Sequence, residues 1–257
     1  MSCPHLLPEL LDHVVGFLHP SRDTLKSCCL VSKQWIPRTR KYLFAYIQFR
    51  TADDLQSWKV MFPNPSTSPA CYAKALFIAC PSVIAAAAAS EGCWVSAFSC
   101  VVHLNINLAG SYPNDQSISL VPFHGFSPAL KSLRAVRTAF THSQIFNLIC
   151  SFPLLEDVCV PAMGPNDEQQ TVVQPSSSPV FTGSLELRPG FGTEPFAPIL
   201  LSLPGGLHFR RICFTLQSET DVLFTTALVE GCCSTLESLN VCNEGYGMSY
   251  RDLRPRR

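Results

Sequence analysis

Hydrophobic and polar positions at the start of the chain follow the period of an α-helix. Between residues 8 and 18 the apolar side chains recur three and four positions apart, while Glu9 and Asp12 hold the opposite side. His19 precedes Pro20, and a residue before proline is driven out of the helical region. We therefore predict an amphipathic helix over residues 8–18 that ends at this dipeptide.

Two more short helices are expected before residue 44. Ser21 or Asp23 can cap the second one, because their side-chain oxygens accept hydrogen bonds from free backbone N–H groups. Ser32 is placed to cap a third helix that runs through Trp35 to Leu43. Pro37 falls late for the first turn of that helix, so we expect a distortion there.

From residue 44 onward a different pattern returns at nearly constant intervals. It has the form apolar-x-x-apolar-x-apolar, and its central positions are 25 to 29 residues apart. This form is typical of the strand segment of leucine-rich repeats, whose units are about 20–29 residues long. One unit departs from the strict pattern, because its first position is Thr182. The eight central positions are Ile47, Leu76, Leu104, Leu133, Val158, Leu185, Ile212 and Leu239.

Helix starts lie in several of the spacers between these strand segments. Each is a Ser or Thr with an Asp or Gln three positions later, which suits an N-terminal cap. Gly231 is placed to end the last of these helices. A strand followed by a helix, repeated eight times, predicts a leucine-rich-repeat-like α/β solenoid with a parallel sheet. The cap pairs are Thr51 with Asp54, Thr141 with Gln144, and Ser218 with Asp221.

These patterns predict an α+β repeat protein with two domains. A three-helix module occupies residues 1–44, and an irregular solenoid of about eight units occupies residues 45–257. Ile118–Phe126 is expected to be an extra extended segment, and residues 161–180 a polar loop or disordered insertion. The last strand segment, Leu236–Val241, is followed by a basic tail and by no further unit, so we expect the solenoid to be truncated there.

The helical module resembles the F-box family. The family pattern is Leu-Pro-x-Glu-Leu-Leu, then a spaced apolar helix, a Leu-rich turn and a terminal Trp, and residues 6–44 follow this order. The sequence departs from it at Leu7, which stands where proline is expected, with Pro8 one position later. The whole chain is also similar to F-box proteins that mushroom-forming (basidiomycete) fungi carry in large numbers.

This resemblance implies a substrate receptor of an SCF-type ubiquitin ligase. Its F-box would bind a Skp-type adaptor, and through it a cullin, while the repeats would bind an unknown target protein. The alternative is a leucine-rich-repeat scaffold unrelated to ubiquitin, in which the N-terminal helices act only as a cap. The residues expected to face the adaptor, or to support that face, are Leu6, Pro8, Leu10, Leu11, Val14, Leu18, Leu25, Leu30, Val31 and Trp35.

Composition narrows the classes of partner. The 257 residues are 47% hydrophobic and 15% charged, with 19 basic and 19 acidic side chains. This balance gives no reason to expect nucleic acid or a membrane as a partner. Residues 1–50 carry a local excess of positive charge, which is either a solvated helix face or an electrostatic docking patch. We expect a soluble protein of the cytoplasm or nucleus, where the 13 cysteines would be free, buried thiols.

Motifs of catalysis and cofactor binding are not found in the sequence. It contains no G-x-S-x-G, Walker, H-E-x-x-H or Rossmann glycine pattern. Cys100 and His103 have a spacing typical of metal ligands, but no second pair lies at a workable distance. We therefore expect a binding protein without enzymatic activity, metal or cofactor.

Strand alternation identifies the residues expected to face the target. In each strand, the central residue points inward to the core, and the residues directly before and after it point to the opposite face of the sheet. In a leucine-rich solenoid that opposite face is the concave wall. Their mixed charges and small polar groups favour a folded protein as partner over nucleic acid. The alternative is that they are solvated strand residues without a partner. The selected residues are His103, Asn105, Arg134, Asp157, Glu186, Arg211 and Asn240.

Overall fold

The computed structural model describes most of the chain between residues 7 and 243. The described segments are residues 7–89, 94–108, 119–136, 140–161, 163–164, 179, 181–188, 194–203, 205–216 and 219–243. The α-helices in them are α1 (Pro8–Leu18), α2 (Arg22–Val31), α3 (Ile36–Leu43), α4 (Ala52–Met61), α5 (Pro81–Ala89), α6 (His142–Cys150), α7 (Ala197–Leu201) and α8 (Glu219–Gly231).

Within these segments, eight strands form one parallel sheet, and two very short strands form an antiparallel pair. The order in the large sheet is β1-β2-β3-β4-β5-β7-β9-β10, so spatial neighbours also follow one another along the chain. This is an α+β architecture with a solenoid-like arrangement. The strands are β1 (Tyr46–Phe49), β2 (Ala75–Ile78), β3 (His103–Asn107), β4 (Ser132–Val136), β5 (Asp157–Pro161), β6 (Met163–Gly164), β7 (Ser184–Arg188), β8 (Glu194–Pro195), β9 (Arg211–Leu216) and β10 (Ser238–Asn243).

The predicted central positions lie in register across the whole sheet. Leu104 pairs with Leu76 on one side and with Leu133 on the other, and the same register continues to Ile212 and Leu239. From Ile47 to Ile212 these residues are buried among the helices, and Leu239 packs against them at the end. The predicted strand positions and their common register are therefore confirmed.

The irregular unit at Thr182 has a simple explanation. Thr182 is exposed, whereas Phe181, one position earlier, is fully buried. The ring of Phe181 stacks on that of Phe209 at a centroid distance of 4.8 Å. The strict template was wrong at this position, because an aromatic ring four residues before Leu185 fills the place of the expected aliphatic side chain.

Two of the predicted helix caps are confirmed. Thr51 accepts a hydrogen bond from the N–H of Asp54, whose carboxylate accepts one from the N–H of Thr51. Thr141 and Gln144 form the same reciprocal arrangement. The third cap begins at Ser218, which lies outside the described residues. The helix that follows ends at Gly231, as predicted.

The N-terminal helices differ from the prediction in one place. Helix α1 has the predicted bounds, and Ser21 caps α2 by accepting from the N–H of Thr24. The third helix was predicted to include Trp35, yet α3 begins at Ile36. Pro37 thereby falls within the first turn, where its missing N–H costs nothing, so no distortion is needed. Pro8 occupies the same kind of position in α1.

The prediction of an extra extended segment at Ile118–Phe126 is also wrong. Within it, Val121–Phe123 forms a 3₁₀ turn, which buries the Phe123 ring completely. Ile118 and most of residues 161–180 lie outside the described segments. The short strand β6 is one of the parts of residues 161–180 that the structure describes.

Among the helices that the structure describes, none has the length and apolar character needed to cross a membrane.

Two glycines offer a matched test of this packing. A Cβ on Gly183 would lie 2.6 Å from the Asp157 carboxylate and 2.7 Å from the carbonyl oxygen of Glu156. We expect Gly183→Ala to lower the free energy of unfolding by about 1–3 kcal/mol, because backbone must shift. A Cβ on Gly16 would make an ordinary 3.5 Å contact with the Tyr42 hydroxyl. Gly16→Ala should raise stability by about 0.5–1 kcal/mol. Urea unfolding of both variants would contradict this account if the two effects had the same sign.

Candidate functional site

One side of α1 holds the three N-terminal helices together. Leu11 and Val15 are buried there, four positions apart on one face. Asp12 forms an ion pair with Arg38 of α3 at 2.9 Å. Helices α2 and α3 are joined by the Cys29 thiol, 2.9 Å from the hydroxyl of the buried Thr39. The small module therefore has an interior of its own.

A second face of α1 is apolar but exposed to solvent. Leu7, just before the helix, is followed at spacings of three, four and three by Leu10, Val14 and Phe17, and all four are exposed. At 3.6 residues per turn, these four positions lie roughly 90° around the helix from the buried Leu11 and Val15. We call these four residues the α1 stripe.

The end of α2 adds to the exposed apolar surface of the module. Leu30 exposes 89% of its surface and Val31 70%, although both are aliphatic. Single exposed apolar residues are common on protein surfaces, whereas neighbouring ones that form a continuous surface, as the α1 stripe does, mark an interaction site. The α1 stripe together with Leu30 and Val31 is therefore the candidate docking surface.

The ten residues predicted to face or support the adaptor divide by burial. Leu11 and Leu25 are buried, so they support the module from inside, and Leu18 and Trp35 are half-buried. Leu6 lies outside the described residues. The exposed ones are Pro8, Leu10, Val14, Leu30 and Val31.

Two exposed residues of the docking surface were not among those ten. Leu7 and Phe17 belong to the α1 stripe, and Phe17 exposes 72% of its surface. The edge of the His13 ring packs against the Phe17 ring, with centroids 4.8 Å apart. Helical spacing from Leu10 and Val14 would have indicated both, because positions three and four apart share a face.

The seven predicted target-facing residues lie on the face of the sheet opposite the central row, which we call the polar face. Asn105, Arg134, Glu186 and Asn240 fall in one transverse row. The adjacent row holds His103, Asp157 and Arg211. The sheet thus brings together residues that lie up to 137 positions apart in the sequence.

Ion pairs connect several of these side chains. Glu186 contacts Arg188 on its own strand and Arg134 two strands away, the latter at 3.6 Å. Asp157 lies 4.0 Å from Arg211. The same Asp157 oxygen accepts hydrogen bonds from the N–H and the hydroxyl of Ser184, at 2.8 and 2.6 Å. Asp157 therefore also has a structural role, which joins β5 to β7.

Within the part of the chain that the structure describes, one buried side-chain acceptor of the polar face has no hydrogen-bond partner. The side-chain oxygen of Asn105 is buried and accepts no hydrogen bond from the described residues. A buried acceptor without a donor is unfavourable by about 1–3 kcal/mol. A ligand that donates a hydrogen bond at this point would remove that penalty.

The described cysteines are free thiols, as predicted, but the prediction that they are buried is wrong for most of them. Cys28, Cys159 and Cys232 are buried, whereas Cys71 and Cys233 are among the exposed ones. Burial, together with the neighbouring Glu186 carboxylate, raises the pKa of the Cys159 thiol to about 12. This thiol on the polar face is thus protonated at neutral pH and a poor nucleophile.

Cys100 and His103 are not part of a larger ligand set within the described segments. Cys100 is half-buried, and His103 is exposed at the start of β3. No group of three or more potential metal ligands is found in the part of the chain that the structure describes.

Comparison with known proteins assigns no family to this chain. No protein-family model matches the sequence, and no curated protein is similar to it at a significant level.

The contribution of the polar-face ion pairs to stability can be tested by mutation. Arg134, Glu186 and Arg211 are all partly exposed, and such pairs contribute about 0–1 kcal/mol. We expect the triple change of these residues to Gln to shift the free energy of unfolding by less than about 1 kcal/mol. Asp157→Ala should lower it by about 1–3 kcal/mol, because the Ser184 N–H loses its acceptor. Chemical denaturation would contradict the assignment if the triple variant were the less stable of the two.

Proposed function

We propose that this protein is a substrate receptor of an SCF-type ubiquitin ligase, with α1–α3 as an F-box. The observation that carries the proposal is the α1 stripe with Leu30 and Val31, an apolar surface on a module that already has its own interior. Residues 6–44 also follow the order of the F-box pattern. Both features fit a helical module that docks onto a Skp-type adaptor.

The exposed stripe favours docking over the alternative role of a solenoid cap. A cap is expected to turn its apolar residues toward the first repeat, because its purpose is to cover that end of the core. In this protein α3 packs against the Pro69–Tyr72 turn. Leu10, Val14 and Phe17 of α1 instead face solvent. The scaffold without a link to ubiquitin is therefore the second candidate.

In this proposal the protein contributes binding and no bond-making groups. The adaptor would hold the F-box and connect it to a cullin, and the solenoid would hold the target. Tethering raises the effective concentration of the target near a ubiquitin-charged conjugating enzyme. Rate enhancement would come from proximity, so the receptor needs two well-separated binding surfaces.

The polar face is the proposed site for the target. It presents the carboxylate of Glu186, the guanidinium groups of Arg134 and Arg211, and the unsatisfied oxygen of Asn105. Charges of both signs and free hydrogen-bonding groups suit the polar surface of a folded protein. Nucleic acid would require a surface of predominantly positive charge.

Adaptor binding is tested by a charge placed within the α1 stripe. Leu10→Asp should weaken co-elution with a co-expressed Skp adaptor in size-exclusion chromatography by more than about tenfold, because a carboxylate would be buried at the interface. Leu10 is exposed in the free protein, so its melting temperature should stay nearly unchanged. Gln56→Asp, at an exposed position of α4, is the matched control and should co-elute normally.

Trp35→Ala is a weaker probe of the same interface. The Trp35 side chain is half-buried at the start of α3, so its removal would disturb the packing of the module as well as the interface. Normal co-elution of a folded Leu10→Asp variant would show that the α1 stripe does not bind the adaptor, and the scaffold alternative would then stand.

Target binding is tested with the triple Gln variant of Arg134, Glu186 and Arg211. Complexes of the wild-type chain with the adaptor would be used to capture proteins from a lysate, with the bound proteins identified by mass spectrometry. We expect the triple variant to retain the adaptor and to lose those proteins that wild type enriches, since the charges lie on the polar face. An unchanged set of captured proteins would place the target site elsewhere.

A further inference from the structure

A groove of about 490 Å³ runs along the outer edge of the sheet at β1. Five consecutive residues, 46 to 50, line it. Side chains of a strand point alternately to opposite faces, so a cavity on one face would contact every second residue. Contact with all five means that the groove follows the backbone edge of the strand itself.

Some backbone hydrogen-bonding groups at this edge have no partner among the residues that the structure describes. Ala45 accepts from the N–H groups of Lys74 and Ala75, at 2.8 and 2.9 Å, and Phe49 accepts from Ala79 at 2.9 Å. In a parallel pair, every second residue directs its N–H and C=O to one neighbour. The backbone groups of Ala45, Ile47 and Phe49 thus hydrogen-bond toward β2. The backbone N–H and C=O groups of Tyr46 and Gln48 point outward into the groove.

One wall of the groove is aromatic. The rings of Phe44, Trp58 and Phe62 contact one another, with the Trp58 and Phe62 centroids 4.6 Å apart. All three line the groove and are only partly buried, and the exposed Met61 lies beside them. This wall offers apolar area to side chains on the helix side of an added strand.

The polar lining of the groove carries unpaired positive charge. The Arg50 guanidinium donates to the side-chain oxygen of Gln48 at 3.1 Å. Neither Arg50 nor Arg22 has a carboxylate of the described residues within ion-pair distance. The Asp54 carboxylate is already engaged, since it accepts from the N–H groups of Arg50 and Thr51 at 2.8 and 3.0 Å.

We propose that this groove binds an extended segment of a partner protein by strand addition to β1, and that the segment alternates apolar and acidic residues. Its backbone would pair with Tyr46 and Gln48. Its apolar side chains would contact Trp58 and Phe62, and its carboxylates would pair with Arg50 on the other face. The proposal involves neither the α1 stripe nor the adaptor, so it stands or falls separately from the ligase function.

A synthetic peptide serves as the probe. A fluorescein-labelled heptapeptide of alternating valine and glutamate would be titrated with the full chain, and binding followed by fluorescence anisotropy. We expect saturable binding by this peptide. Two controls should bind at least about tenfold more weakly: one of the same composition with the valines and glutamates in separate blocks, and one with lysine in place of glutamate.

Three variants locate the site. Gln48→Pro removes one outward N–H and spares the bonds to β2, so peptide affinity should fall at least about fivefold. Gln48→Thr keeps the N–H and should bind like wild type. Arg50→Glu should weaken the glutamate peptide by about tenfold or more and favour the lysine peptide, because the charge is reversed. Circular dichroism melting would establish that each variant is folded.

Several outcomes would overturn the proposal. Equal affinity for the alternating and block peptides would exclude strand addition, and so would unchanged affinity of a folded Gln48→Pro variant. If the Gln48→Pro variant does not fold, the test depends on Arg50→Glu. If Arg50→Glu binds the peptides with the same affinity and the same charge preference as wild type, the groove is excluded as their binding site. Concentration-dependent self-association of the wild-type chain that Arg50→Glu abolishes would assign the edge to a second copy instead.

Discussion

The rest of this structure depends on one row of contacts. Each strand of the large sheet contributes an aliphatic side chain that points toward the helices, and these side chains pack against one another. Strands of four to six residues cannot bury an apolar face alone, and each inner member of the row is covered by its equivalents on both sides. Because the side-chain period of a strand is two, this row fixes the register of the whole sheet. It thereby sets which residues share the polar face, and it leaves β1 as an edge.

Much of the fold could be predicted because it follows from short-range patterns. The central positions lie in register, and the caps at Thr51 and Thr141 form as their spacing indicates. Errors arose where two local signals compete. Pro37 moved the start of α3 from the position that Ser32 suggested, and Phe181 replaced Thr182 because an aromatic ring reaches the core from one residue away.

The candidate docking surface shows what periodicity leaves undetermined. An apolar arc along α1 predicts a helix, but not how much of the arc the neighbouring helices cover. Leu11 and Leu10 are adjacent and equally apolar in sequence, yet Leu11 is buried and Leu10 is half exposed. The difference depends on where α2 and α3 lie. The groove at β1 likewise joins residues from α2, β1 and α4, whose proximity no single segment of sequence encodes.

The order of the sheet has a consequence for how the protein gains and loses structure. Paired residues in the large sheet are separated by about one repeat unit throughout, as Leu104 and Leu133 are. Each new strand therefore closes a loop of similar length and meets a similar entropic cost, so the sheet can grow outward from any starting unit. Opening should proceed in reverse, from the terminal strands inward. Amide protons of β3, β4 and β5 would then exchange with solvent more slowly than those of β1 and β10, although all belong to one continuous sheet.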